Sequence, residues 1–254
     1  MEEKVYTRNF ISEVILRVDF NKSIALTSDN LRAFKDALKD DIEYKEESVT
    51  KYEMKFEKDN QSFNIVNIGK LGSYLLKEHG AKFIFDHEKF LLTANKYLRF
   101  SAFCDLFKKG VSNMQGVIDI NEFKRIGLRY INTIEIEEIK ALSDWREFIN
   151  ANYIPDYSKI RIDDSNFTLR RNMNAFIFRN GQYAVNLNLG IWNREFPSII
   201  SNDKALILDI DCYVDNVLLN KEDILSKPAE MNRVALLYFE LLISDKLRTI
   251  MRTK

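Results

Sequence analysis

The chain is poor in the residues that build loops, staples and metal sites. Among 254 residues there are 8 glycines and 3 prolines, too few for a Gly-rich phosphate cradle or a Pro-rich linker. Only two histidines occur, His79 and His87; a pair eight apart lacks the further ligands a metal ion needs, and both read as surface turn residues. The two cysteines, Cys104 and Cys212, stand 108 positions apart inside apolar runs. They form neither a disulfide framework nor a metal-binding spacing, and both read as small buried apolar residues of a protein kept in a reducing compartment. No charge of one sign dominates, because 38 Lys+Arg balance 38 Asp+Glu, so there is no broad field for a nucleic-acid or membrane surface. No uncharged stretch approaches the roughly 18 residues of a membrane span, and MEEKVYTRNF has no apolar signal core. A cytoplasmic protein with no membrane contact is expected, and nucleic acid is not favoured as a partner. The cations Lys246, Arg248, Arg252 and Lys254 fall where a helix C-terminus favours them.

What the sequence does contain is apolar and aromatic residues, 46% and 12% of the chain, enough for a single compact unit over 1–254. Alternation in FISEVILRVDF places Val14, Leu16, Val18 and Phe20 on one face of a strand, with Glu13, Arg17 and Asp19 on the other. A helix capped at Ser28 or Asp29 follows, carrying Leu31, Phe34 and Leu38, and ends near Asp40. Nine acids and five lysines lie between Asp36 and Asp59, a pattern that suits a charged edge strand. SFNIVNI, SYLLKE, KFIFD and KFLLTAN read as separate hairpin strands. The spacing then predicts a helix from Leu98 to Met114 that presents Leu98, Ala102, Leu106 and Val111. FKRIGLRYINTIEI reads as a strand, and a short helix is expected around Trp145 to Ile149. Asn180-Gly181 supplies a type I′ hairpin turn. A last helix, capped at Ser226 with Pro228 in its first turn, runs towards Met251.

The order of elements repeats. Leu16-Arg17-Val18 is similar to Leu128-Arg129-Tyr130, Lys55 to Asn60 is similar to Arg161 to Asn166, and FIFDHEKFLLTAN from Phe83 is similar to FIFRNGQYAVNLN from Phe176. Two duplicated β-α-β(n)-α halves, 10–116 and 123–251, would give an α+β fold of antiparallel sheets with helices on one face.

No catalytic set and no cofactor motif is found: G-x-S-x-G, Walker, G-x-G-x-x-G, H-E-x-x-H and C-x-x-C are all missing. Two constellations remain. In KRIGLRYIN, Arg125, Gly127 and Arg129 share one strand face, where a bare glycine between two guanidiniums leaves room for a small anionic group. The reading preferred for this pattern is cross-strand ion pairing, with Gly127 under a helix or at a bulge. In ALILDIDCYVD, Asp209 and Asp211 project together, either to hold a cation with further oxygen ligands or to meet Arg125 and Arg129 across neighbouring strands. With Arg17, and with Arg170 or Arg171, these arginines would line a nucleotide- or phosphate-binding cleft.

Near the C-terminus, eight of the nine residues from Ala235 to Ile243 are apolar. Met231, Val234, Ala235, Tyr238, Leu241 and Leu242 form a core stripe, which leaves Leu236, Phe239 and Ile243 as a second one. This second stripe is expected against the Leu98 to Met114 helix or against another chain, a protein partner or a second copy, with Phe239 at its centre.

The strand Glu13 to Phe20 (E-V-x-x-x-V-x-F), Arg125 to Asn132 (R-x-G-L-R-Y-I-N), Leu206 to Tyr213 (L-x-L-D-x-D-x-Y), and a terminal helix with Asn232, Phe239, Leu247, Arg248 and Met251 together resemble a sporadically distributed, uncharacterised family of bacterial and archaeal proteins. The resemblance covers essentially the whole chain and brings no catalytic residues with it. Missing catalytic sets, balanced charge and the apolar C-terminal helix point to a non-enzymatic interaction module; the family's patchy occurrence, which resembles that of genes on mobile elements, implies an accessory or antitoxin-like subunit of a defence system.

Overall fold

A computed structural model describes residues 6–39, 41–57, 60–97, 99–160, 169, 171–194, 196–198 and 205–253, with backbone alone over 51–57 and 60–68. In chain order the elements are β1 (Ile11–Phe20), α1 (Ser28–Leu38), β2 (Ile42–Glu57), β3 (Asn60–Leu76), β4 (Ala81–Phe85), β5 (Lys89–Ala94) and α2 (Phe100–Val117). There follow β6 (Phe123–Ile134), α3 (Trp145–Phe148), β7 (Asn172–Asn180), β8 (Tyr183–Trp192), β9 (Ala205–Leu219), α4 (Lys221–Leu242) and α5 (Asp245–Arg252). The fold is α+β, as the alternating strands and amphipathic helices imply. Its strands make one antiparallel sheet in the order β2-β3-β4-β5-β1-β6-β9-β8-β7. No helix among the described residues is long and apolar enough to cross a membrane.

The chain forms two compact units. One holds Ile15–Leu128 and Val214–Ala229. Its core is aromatic: the Phe34 ring of α1 lies 4.9 Å from Tyr74, 5.9 Å from Phe83 and 5.6 Å from both Phe85 and Phe90, mostly edge to face. Thr27, one residue before the expected cap, closes α1 in a reciprocal box with Asn30. β2 is an edge strand, as its charge pattern requires. SFNIVNI and SYLLKE, expected as two strands, are parts of the single strand β3, and the irregularity between them is a register shift opposite Val49/Thr50. Helix α2 buries Phe103, Phe107, Val111 and Met114. Ala102 is therefore exposed and Leu106 half-buried, since the phenylalanines offer more apolar area to the core than the face first assigned. Leu98 lies outside the described residues. His87 is buried at 7% exposure, unlike a surface turn residue.

The other unit holds Met1–Val14, Arg129–Tyr213 and Glu230–Lys254. Its hairpin β7–β8 pairs Asn180 with Tyr183, so the two-residue loop is Gly181-Gln182. Only Gly181 there has a positive φ, 59°, which is the glycine-first arrangement of a type II′ turn and not type I′. The last helix is broken in two. α4 starts well before Ser226, where Asn220 and Asp223 cap each other's backbone N–H, and Pro228 lies inside it. It ends at Leu242 because Ile243 bridges to Ile149 and the Ser244 side chain accepts from the Leu247 N–H to start α5. Phe239 and Ile243 are buried, at 8% and 2% exposure. Their visible cover is Tyr6, whose ring stands edge-on 6.4 Å from Phe239, and Ile149, where the Leu98 to Met114 helix or a partner chain was expected. Leu236 and Leu241, assigned to buried stripes, are exposed.

Candidate functional site

β6 carries Arg129, β9 carries Asp209, and β8 carries Asn188, which is the cross-strand neighbour of Asp209. The Arg129 guanidinium donates from Nε to Oδ1 of Asp209 at 2.7 Å and from Nη2 to Oδ2 at 2.9 Å. The Asn188 amide donates to Oδ2 at 2.9 Å. Three donors thus serve a carboxylate whose side chain is only 1% exposed, while the Arg129 side chain keeps 31%. Burial works against the guanidinium charge. Its hydrogen bonds to the Asp209 carboxylate, together with the fields of Asp209, Asp211 and Glu13, outweigh it and hold the Arg129 pKa above its usual value.

The pairing of Arg129 with Asp209 realises the charge ladder that alternation allows. It also limits the chemistry. The bidentate fork that would grip a phosphate is filled by a carboxylate, and three carboxylates act on this one guanidinium, so an incoming anion meets net negative charge. Asp211, half-buried, stands in that same field. No group of three or more His, Cys, Asp or Glu suited to a metal ion occurs among the described residues.

The neighbours of Arg129 extend the same pattern. The buried hydroxyl of Tyr130 donates to Asn232 Oδ1 on α4 at 2.7 Å, and Asn132 donates to the Leu208 carbonyl at 3.0 Å. Tyr213 donates to Asn186 at 3.4 Å. Arg248 binds Glu240 and Asp245, while Leu247 and Met251 are buried. These bonds tie β6 to β9 and to α4, and α5 to α4.

Of the remaining expected site residues, Arg17, Arg125 and Gly127 lie in the other unit. Arg17 donates to both oxygens of Asp19, two residues along β1, at 2.6 and 3.1 Å. Arg125 is half-buried and Gly127 buried on β6. Arg171, in the unit with Arg129, lies over the Trp192 ring at 5.5 Å. Arg170 and residues 161–166 lie outside the described residues. Both cysteines are buried, and desolvation pushes the Cys212 thiol up to about 12, far from a nucleophile's range.

Two features went unmarked in the sequence. A recess of about 450 Å³, lined by Ile136, Ile139, Leu142 and Trp145 and rimmed by the Arg194–Glu135 pair, contains none of the expected site residues. The second is the outward face of α4, with Leu236, Leu237 and Leu241 at 37%, 53% and 47% exposure. The signal for it was the nearly all-apolar run from Ala235. A core stripe of helical spacing takes only part of such a run, and the remainder must face outward.

No protein-family model matches the chain, and a search of curated proteins finds no match either.

Proposed function

We propose that the protein is a non-enzymatic interaction module that docks a protein partner on the outward face of α4, as an accessory or antitoxin-like subunit of a bacterial defence or mobile-element system. The carrying observation is the cluster of Leu236, Leu237 and Leu241 on one helix face. Exposed leucines standing singly are ordinary, but three on adjacent turns form a patch that an apolar groove can cover. Arg233, and Glu240, which Tyr6 and Arg248 bind, stand at helical spacing between Leu236 and Leu237 and give the face a polar component. The defence or mobile-element setting draws on the resemblance of R-x-G-L-R-Y-I-N and L-x-L-D-x-D-x-Y to a patchily distributed family.

Affinity capture from the native host, with wild type and Leu237→Glu compared side by side by mass spectrometry, tests this. A stoichiometric protein that is held by wild type and lost with Leu237→Glu is expected, with the melting temperature unchanged because Leu237 packs against little within the chain. Equal capture by both proteins, or no stoichiometric capture by wild type, overturns the proposal.

A further inference from the structure

We infer that β7 is a pairing edge at which two copies of the chain join, β7 against β7, antiparallel. β7 ends the sheet order and is bonded to β8 on one side; among the described residues no strand pairs with its other side. Backbone N–H and C=O groups along such an edge are a template on which an extended partner can pair, and proteins normally block the position with charge, proline or a bulge. The strand at the other end of the order does so. β2 carries eight charged residues in its 16 (IEYKEESVTKYEMKFE) and a register shift at Val49/Thr50. β7 has little of this protection. Its nine residues NMNAFIFRN include one charge, Arg179, and no proline. Its register with β8 runs unbroken from Asn172↔Ile191 to Asn180↔Tyr183, and Ile177 is 70% exposed.

The occupant follows from the sequence of the strand, which is compatible with its own reverse. An antiparallel pair centred on Phe176 sets Ala175 against Ile177, Asn174 against Phe178 and Asn172 against Asn180. Apolar centre meets apolar centre and asparagine end meets asparagine end. The two Arg179 side chains lie at opposite ends, each beside Met173, so no like charges face each other. A twofold contact of this kind uses up the bare edge of both copies, and the edge left on each is the charged β2, so assembly closes at two. One strand pair is a small interface, which places association in the micromolar range, about 1 to 100 μM. The inference does not depend on the α4 reading, and Leu237→Glu is expected to pair as wild type does.

Sedimentation velocity of the full chain, from about 1 to 200 μM to span that range, reads the outcome directly. Wild type is expected to pass from 29.9 kDa to twice that mass. The double variant Ala175→Lys/Ile177→Lys, which places charge on two exposed edge positions, is expected to remain at the single-chain mass. Hydrogen exchange on wild type alone supplies a readout that does not depend on how the variant folds: dilution should deprotect the amides of β7 and leave those of α4 unchanged. A wild type that stays monomeric throughout, a double variant that still doubles in mass, or a dilution effect confined to α4 would each overturn the inference.

Discussion

Arg129 shows how far single residues could be understood from sequence. A strict period of two put Arg129 and Asp209 on defined strand faces, which allowed an ion pair, a cation site or an anion cleft, and the bidentate bond between them is the ion pair. Asn188 escaped notice because an asparagine in YAVNLNLG looks like ordinary alternation, although its amide completes the shell around Asp209. The Tyr130–Asn232 bond joins residues 102 positions apart, and no local pattern encodes such a contact. His87 was misplaced for a related reason: its neighbours Asp86 and Glu88 suggest a wet turn, and only the tertiary packing buries it. Removing Arg129 would leave Asp209 buried with one neutral donor. Arg129→Ala is therefore expected to destabilise by roughly 3 kcal/mol, at the lower end for a broken buried pair because the guanidinium is partly exposed. Arg129→Lys should recover only part of this, since an ammonium cannot reproduce the fork. Urea denaturation of the three proteins checks the order. A midpoint unchanged in Arg129→Ala would mean that the pair contributes nothing to the fold.

Elements were easiest to read where one period dominated, as in β1, α1 and β6, and hardest where a run was apolar all round. The α4 to α5 segment has too many apolar residues for spacing alone to choose a face, so Leu241 was placed inward. The helix break at Ile243 depends on Ile149, far away in sequence. The hairpin was signalled correctly by Asn180-Gly181, but its register moved one residue along because β7 extends through Asn180. The same hairpin contains a closer constraint at Gly190, where a β-carbon would come 2.0 Å from the Asn172 carbonyl oxygen. The obstacle is backbone, which cannot turn aside as a side chain can. Gly190→Ala should therefore part β7 from β8 at this end and cost about 2 kcal/mol or more, seen as a lowered melting temperature with faster amide exchange at Asn172 and Met173. Gly181→Ala, at φ 59° with open space around it, carries only the left-handed backbone penalty of about 1 kcal/mol. A Gly190→Ala melting temperature no lower than that of Gly181→Ala would contradict this ranking.

For the molecule as a whole, the order of the strands bears on the internal repeat more than the residue matches do. Outward from β1 the sheet runs β5, β4, β3, β2, and outward from β6 it runs β9, β8, β7. In both halves the first strand is innermost and the last strand of the half lies beside it, within one sheet where a doubled β-α-β(n)-α unit was expected to give two. The compact units nevertheless do not coincide with the halves 10–116 and 123–251. One unit needs Met1–Val14 together with Arg129–Tyr213 and Glu230–Lys254, and the other needs Val214–Ala229 together with Ile15–Leu128. Each therefore takes chain from both sides of the midpoint, which local sequence patterns cannot show. Residues 1–118 alone would lack the start of β6, including Phe123, whose ring lies 6.2 Å from Phe20. Residues 119–254 alone would lack Tyr6, the partner of Phe239 and Glu240. A fragment deprived of part of its core buries too little apolar surface to offset the entropy of ordering its chain. Each fragment is accordingly expected to be unfolded by circular dichroism when produced alone, and the pair to regain a cooperative thermal transition when produced together. Two fragments that each melt cooperatively by themselves would show that either half carries a complete core, and the division into interleaved units would then have no energetic meaning.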